Sequence, residues 1–287
     1  MSAPLVSVVL PCYQVERYLG EALDSVLAQD YPADRLEVIV VDDGSTDGTA
    51  DVARAYADRG VRLLQKENGG LGSAVCAGFR AARGDLLTMC DGDDLYTPDK
   101  VRRQVEMLEA DPGLGLVYCE MALVDSAGRT IAESFMRHEQ LVPCDGWALG
   151  QLLQYNTVPA PVMLRAELVR PLLPFPAWLK VPDWYLACRI AEDHRIGYVR
   201  SAVYRYRRHD ANMNQRAGGQ VREWALLTSI ELRRHFLRTL DLRRVEPVEL
   251  MTAEIALRHE VQTALGAGYA PDRVFPVRPE DHAEGAA

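Results

Sequence analysis

The stretch TMCDGDDLYTPDK, from Thr88 to Lys100, sets Asp91, Asp93 and Asp94 within four consecutive positions directly after an apolar run. Two unit charges ~4 Å apart repel by roughly 1 kcal/mol in water and roughly 4 kcal/mol near a protein surface, so the cluster has to be solvated or neutralised. Two chemistries meet that demand: an acidic turn open to water, or a divalent cation held by hard oxygen ligands. Taken alone, the stretch favours the turn. The other residues able to do chemistry are Asp42 and Asp43 in VVDDGSTDGT, the Asn68-Gly69-Gly70 segment, Asp183 in VPDW, and His209 at the end of YRYRRHD.

The elements that must position these groups follow from hydrophobic pattern. Leu5–Leu10, Leu36–Val41, Val61–Leu64 and Leu86–Cys90 are short apolar, β-branched-rich runs that read as buried strands. Between them lie helical periods. Val15, Tyr18, Leu19, Ala22, Leu23, Val26 and Leu27 share one helix face, and further helices are expected over Thr49–Ala57 and Ser73–Ala82, with Gly84 as a stop. Thr97 and Pro98 read as the cap and first turn of a fourth helix, with Asp99 placed against its dipole. This alternation predicts an α/β fold, a Rossmann-like, mostly parallel sheet flanked by helices on both faces.

In such sheets ligands bind beyond the carboxyl ends of the strands. The residues after the four strands are Pro11-Cys12-Tyr13, Asp42-Asp43-Gly44-Ser45, Gln65-Lys66-Glu67-Asn68 and Asp91-Gly92-Asp93-Asp94. A single site explains all four loops, whereas solvated turns would have to be invoked separately for each. Downstream, Leu116–Val124 reads as a strand, Ser126-Ala127-Gly128 as a turn, and Arg129–Phe135 as a hairpin return. Residues 140–172 are mixed. Trp184–Ala191 reads as a helix after a proline-rich loop, Ile196–Tyr206 as strands around Arg200-Ser201, and Gln220–Leu240 and Pro247–Leu265 as two helices.

Composition narrows the class. A chain of 287 residues, 48% hydrophobic and 25% charged, can bury a substantial core. Its formal charge of −9 argues against general affinity for nucleic acid. Cys12, Cys76, Cys90, Cys119, Cys144 and Cys188 are scattered without a CxxC pair, as in a reduced, cytoplasmic protein. The N-terminal run is too short for a signal peptide, and no stretch approaches the ~20 apolar residues of a spanning helix. Any membrane contact is therefore expected to be peripheral, to the inner face.

The segments VSVVLPCYQVERYLGEALDSVLAQDYP, VIVVDDGSTDGT and KENGGLGSAVCAGFRAARGDLLTMCDGDDLYTPDK, in this order, resemble the inverting family 2 glycosyltransferases of the GT-A fold. The likeness is strong over residues 5–110. It implies that Pro11, Tyr13 and Asp43 hold the nucleotide base, with Tyr13 against the ring and Asp43 accepting an imide N–H. Asn68 and Gly70 then approach the diphosphate, where missing side chains admit close backbone contact. Asp91-Gly92-Asp93 matches the family's DxD motif. Asp93 is the implied ligand of Mn2+ or Mg2+, while Asp91 and Gly92 serve the nucleotide, Asp91 through the ribose or a water. Val181-Pro182-Asp183-Trp184 resembles a Glu-Asp-Trp segment whose Asp is the catalytic base, with Pro182 in place of the Glu. Tyr204–Asp210 resembles the closing Tyr-Arg-x-His segment, with His209 on the metal or diphosphate and Arg205 or Arg207 nearby.

The resemblance therefore implies a catalytic GT-A domain over 1–217 and a helical extension over 218–287 with a disordered tail. The expected enzyme moves a sugar from a nucleotide-sugar donor, UDP-linked, to a hydroxyl of a glycan, lipid-linked or small-molecule acceptor. Arg222, Arg233, Arg234, Arg238, Arg243 and Arg244 make the extension locally basic, which reads as a solvated helical face packing on the catalytic domain or a second subunit, with an amphipathic surface helix near anionic lipid as the alternative. Structural readings compete at single residues, since Asp43 and Asp183 could be helix caps and Tyr13 a core residue. At the level of the whole chain the competitor is a silent sugar-nucleotide-binding or scaffolding protein, to which Pro182 lends support. A sugar-1-phosphate nucleotidyltransferase would need a Gly-rich, basic loop where Pro11-Cys12-Tyr13-Gln14 stands.

Overall fold

Three of the four β-branched runs are buried on both faces, a position that crossover helices provide, and the third in chain order, Val61–Gln65, is half-buried at the edge of the same parallel sheet. A computed structural model describes residues 3–159, 161–210, 212, 220–241, 245–267 and 269. Its first part runs β1 (Val6–Cys12), α1 (Glu16–Leu27), β2 (Leu36–Asp42), α2 (Thr49–Ala55), β3 (Val61–Gln65), α3 (Leu71–Ala81) and β4 (Leu86–Met89). β1 pairs in parallel with β2 and β4, and β2 with β3. The chain divides into two compact units, Met1–His209 and Asp210–Ala287. The boundary expected between residues 217 and 218 and the expected disordered tail both lie outside the described residues.

The continuation departs from the sequence pattern in instructive ways. β5 (Leu95–Tyr96) is too short to show a period, and α4 (Lys100–Ala110) begins after Thr97-Pro98 rather than at them. β6 (Leu114–Val124) is followed by β7 (Thr130–Ala132), after which α5 (Phe135–His138) takes over part of the expected hairpin return. α6 (Leu149–Gln154), β8 (Met163–Arg165) and α7 (Ala166–Val169) occupy the stretch without a clear pattern. α8 (Pro182–Ala191) then leads to β9 (Arg195–Arg207). β9 is one long strand, and the register against β6 skips between Val199 and Ala202, so Arg200-Ser201 marks a bulge rather than a break.

Strand order across the sheet is β3-β2-β1-β4-β8-β6-β9-β5, with β7 beside β6. β8 is antiparallel to both β4 and β6, whereas β6 and β9 are parallel. The sheet is therefore mostly parallel, as expected, with β8 antiparallel at its middle and the short β5 and β7 antiparallel to β9 and β6. In the second unit α9 (Gln220–Thr239) and α10 (Pro247–Gly266) pack around Ile230 and Ala264, and Arg233 pairs with Glu260. No helix among the described residues is long and apolar enough to cross a membrane.

Helix α3 carries the loop that follows β3, and its seat on the sheet depends on a missing side chain. A Cβ built on Gly78 would stand 2.3 Å from Val9 Cγ1 and 3.1 Å from Val41 Cγ2. Gly78→Ala is therefore expected to overpack the α3–β1 contact and lower the unfolding free energy by about 1–3 kcal/mol, measured by urea titration.

Candidate active site

Buried carboxylates that hold loops together are the first feature of the strand ends. Asp43, with a side chain 4% exposed, accepts from Lys66 Nζ at 2.6 Å, from Gly70 N at 2.7 Å and from Gly69 N at 3.1 Å. Asn68 Nδ2 donates to the Asp43 carbonyl at 2.9 Å. A Cβ on Gly44 would meet Asn68 N at 2.8 Å, so the loops after β2 and β3 are closed against each other. A carboxylate offers about four lone-pair sites, and Lys66, Gly70 and the Gly69 N–H, which is shared between Oδ1 at 3.1 Å and Oδ2 at 3.2 Å, engage both oxygens. Lys66 is a residue that sequence reasoning passed over, although it directly follows a strand end.

The loop after β1 is tied to the same place by Gln14, which adopts φ +57°. Its Oε1 accepts from Thr46 N and Asp47 N, its Nε2 donates to Thr46 Oγ1, and its backbone N–H donates to Ser45 Oγ. These bonds offset the cost of a left-handed conformation in a residue with a Cβ. Beside it Tyr13 is 42% exposed and so presents its ring to solvent at the strand edge, while Pro11 lies buried in β1. Core packing is thereby excluded for Tyr13.

The acidic loop resolves its three carboxylates into three environments. A Cβ on Gly92 would lie 2.7 Å from Cys12 Sγ and 3.0 Å from Val15 Cγ2, so glycine lets this loop press against the one after β1. Asp94 is 1% exposed and accepts from the Tyr204 hydroxyl at 2.8 Å and from Arg207 N at 2.7 Å. Burial, with Asp93 and Asp91 close by, drives its carboxyl well above the usual range. Asp91 donates its N–H to the Tyr204 hydroxyl at 3.3 Å, and burial, then Asp93 and Asp183, pushes its own carboxyl up to about 7. Asp93 Oδ2 stands 3.0 Å from His209 Nε2.

Arg207 is the hinge of this arrangement. Only 1% exposed, its guanidinium donates to the carbonyls of Asp93 at 2.9 Å and Ser126 at 3.1 Å and pairs with Glu21 at 2.7 Å. Arg205 donates to the Gly128 carbonyl at 2.8 Å. Both guanidiniums therefore have structural partners, Arg207 on the acidic loop and Arg205 on the turn after β6.

Asp183 sits in the first turn of α8, where Pro182 occupies the start of the helix, a position suited to proline because the missing N–H has no helical partner there. Its Oδ1 accepts from Trp184 N at 2.8 Å, and Trp184 Nε1 anchors the helix start to the Leu152 carbonyl at 2.8 Å. Burial pushes the Asp183 carboxyl up to about 6, against the opposing pull of the Trp184 N–H and the Asn156 side chain. Its charge is felt by Asp91, so the two acidic segments share one neighbourhood.

The donor set can be weighed against a divalent ion. Asp93 and His209 offer one carboxylate oxygen and one imidazole nitrogen, with side chains 17% and 8% exposed. Adjacent ligands of an octahedral Mg2+ or Mn2+ ion at ~2.1 Å stand about 3 Å apart, which is the spacing found. Among the described residues no group of three or more His, Cys, Asp or Glu is arranged to hold a metal alone. The pair thus fits an ion that shares its coordination with substrate phosphates, the usual mode for Mg2+.

Residues 7–134 match the family described as glycosyl transferase family 2. The chain is 31% identical over 237 residues to an uncharacterised glycosyltransferase of Rickettsia typhi, covering 79% of this chain and 71% of that one. A Rickettsia prowazekii relative is 39% identical over 130 residues, but there the match spans 45% of this chain and 40% of the relative. Among solved structures, Staphylococcus aureus TarS 1–349 in complex with UDP-GlcNAc superposes with a TM-score of 0.68 at 19% identity, covering 96% of this chain and 77% of that one. The mannosyltransferase PcManGT of Pyrobaculum calidifontis, in complex with GDP-Man and Mn2+, gives 0.66 at 24% identity, over 94% of this chain and 78% of that one.

The lock on the acidic loop can be measured apart from any ligand. Tyr204→Phe removes the hydroxyl shared by Asp94 Oδ2 and the Asp91 N–H and leaves those two atoms without this partner, while Asp94 Oδ1 keeps the Arg207 N–H. The unfolding free energy is expected to fall by about 1–3 kcal/mol in a denaturant titration, with little change in secondary structure.

Proposed function

Because the chain belongs to the family 2 glycosyltransferases and shares their GT-A fold, we propose that it transfers a sugar from a UDP-linked donor to an acceptor hydroxyl with inversion at the anomeric carbon. The observation that carries this reading is the placement of the Asp93–His209 pair, the raised carboxyl of Asp183 and the interlocked loops after β1, β2 and β3 along one edge of the sheet. Tyr13 lies against the base, and Asp43 accepts its imide N–H, with the shared Gly69 N–H giving up one of its two oxygens. Asn68, Gly70 and Gly92 line the approach of the diphosphate, with Asp91 directed to the ribose. Asp93 and His209 would hold Mn2+ or Mg2+, which when bound neutralises charge on the departing nucleoside diphosphate.

Asp183 takes the proton from the acceptor hydroxyl as its oxygen attacks the anomeric carbon. The bond from that carbon to the diphosphate breaks, and its electron pair leaves with the nucleoside diphosphate. The acceptor is a glycan, a lipid-linked sugar or a small molecule, met in the cytoplasm or at the inner face of a membrane. Self-association through the C-terminal helices belongs to the same reading, since Val248, Met251 and Ile255 are exposed on α10. A silent binding protein of this fold is disfavoured by Asp183 itself, because Pro182 leaves the helix start intact and the carboxyl is raised toward the range of a working base.

Two measurements test this. Asp93→Ala is expected to leave the fold intact and to abolish the part of UDP affinity that depends on Mn2+, read by calorimetry with and without the ion; undiminished metal dependence would return Asp91–Asp94 to an acidic turn. Asp183 accepts a proton only when ionised, so transfer should rise with pH through about 6 and level off above it. Asp183→Asn is expected to lose about 10²–10⁴-fold in transfer together with that acidic limb, while donor binding stays near normal. A wild-type rate in the Asn variant would move the base to Glu192 or Asp193.

A further inference from the structure

Helix α1 reaches the acidic loop through one ring. Tyr18 is 8% exposed, but its nearest ring partners are not the aliphatic cluster to which Leu19, Ala22, Leu23 and Val26 of the same helix belong. The His209 imidazole lies with its centroid 4.5 Å from that of Tyr18 and its plane tilted by 30°. The Arg207 guanidinium carbon is 4.9 Å from the same centroid, and that of Arg17 is 5.2 Å away. His209 and Arg207 both end on Asp93, the first on its carboxylate and the second on its carbonyl. The side chain and the main chain of one acidic residue are thus gripped by two groups that rest on one aromatic surface.

We infer that Tyr18 is a positioning residue for the Asp93–His209 pair. His209 follows the end of β9, where two side-chain torsions would otherwise let the imidazole turn away from Asp93. The phenol ring restricts that rotation by stacking, and by cation–π attraction it holds the guanidinium that anchors the Asp93 backbone. Ligands oriented by neighbours in this way lose metal affinity when the neighbour is removed, even though it never touches the ion. The inference rests on the reading of Asp93 and His209 as metal ligands, and the test has to separate the two.

Calorimetry of UDP binding with and without Mn2+ gives the gain in affinity due to the ion for wild type, Tyr18→Leu, Tyr18→Phe, His209→Ala and the Tyr18→Leu/His209→Ala double variant. The gain is expected to fall by about three- to tenfold in Tyr18→Leu, the range of an aromatic stacking contact. It should persist in Tyr18→Phe, which keeps the ring, and the Tyr18→Leu effect should shrink once His209 is absent, leaving only the share carried through Arg207. Thermal unfolding of each variant shows that the protein is folded, and the metal-free affinity shows that the nucleotide loops are intact. A gain lost in His209→Ala but kept in Tyr18→Leu overturns the inference alone, as does an equal loss in Tyr18→Leu with and without His209. A gain undiminished in His209→Ala overturns the metal reading and this inference with it.

Discussion

Everything at the strand edge depends on the burial of one carboxylate. Asp94 is surrounded by protein, and its two oxygens are taken by a tyrosine hydroxyl and a backbone N–H from the far end of β9. A polar group so placed is costly to leave unpaired, so the acidic loop has one favourable position relative to β9 and few tolerable alternatives. That position puts Asp91 on the Tyr204 hydroxyl and Asp93 opposite His209. Asp91 and Asp93 are held at defined places because the third carboxylate is locked inward.

The charge problem posed by Asp91, Asp93 and Asp94 is therefore answered differently at each residue. Asp94 is hydrogen-bonded and shifted toward its neutral form, Asp93 is opposed by an imidazole, and Asp91 is raised by burial and by its acidic neighbours. The Arg207 guanidinium addresses the Asp93 carbonyl rather than its carboxylate, and so fixes the backbone of the loop.

The first half of the fold was legible because its signals are local. β1 to β4 are continuous β-branched runs, α1 and α3 show clear helical periods, and the loops between them carry the polar residues that converge. The second half was not legible to the same degree. β5 has two residues and no period, and β8 lies antiparallel between β4 and β6 for reasons of partner choice that no single segment encodes. Within the site, residue type could not separate Asp94 from Asp93, because only the approach of Tyr204 and Arg207 distinguishes them. Tyr18 was misleading in another way: its spacing assigns it to an apolar helix face, while the groups stacked on its ring are polar.

The parallel pairing of β6 with β9 joins segments separated by a long crossover that contains α8. Contacts so distant in sequence form late, because the entropy of closing the intervening chain has to be met before they contribute. During synthesis the strands β1 to β4 and the DGDD loop leave the ribosome well before Tyr204, Arg207 and His209 exist as part of the chain. A nascent chain can thus carry the whole DGDD sequence and still lack the lock that shapes it. The geometry of the acidic loop is completed only by the last long strand, so a chain interrupted before β9 would hold the three carboxylates without the partners that set them apart.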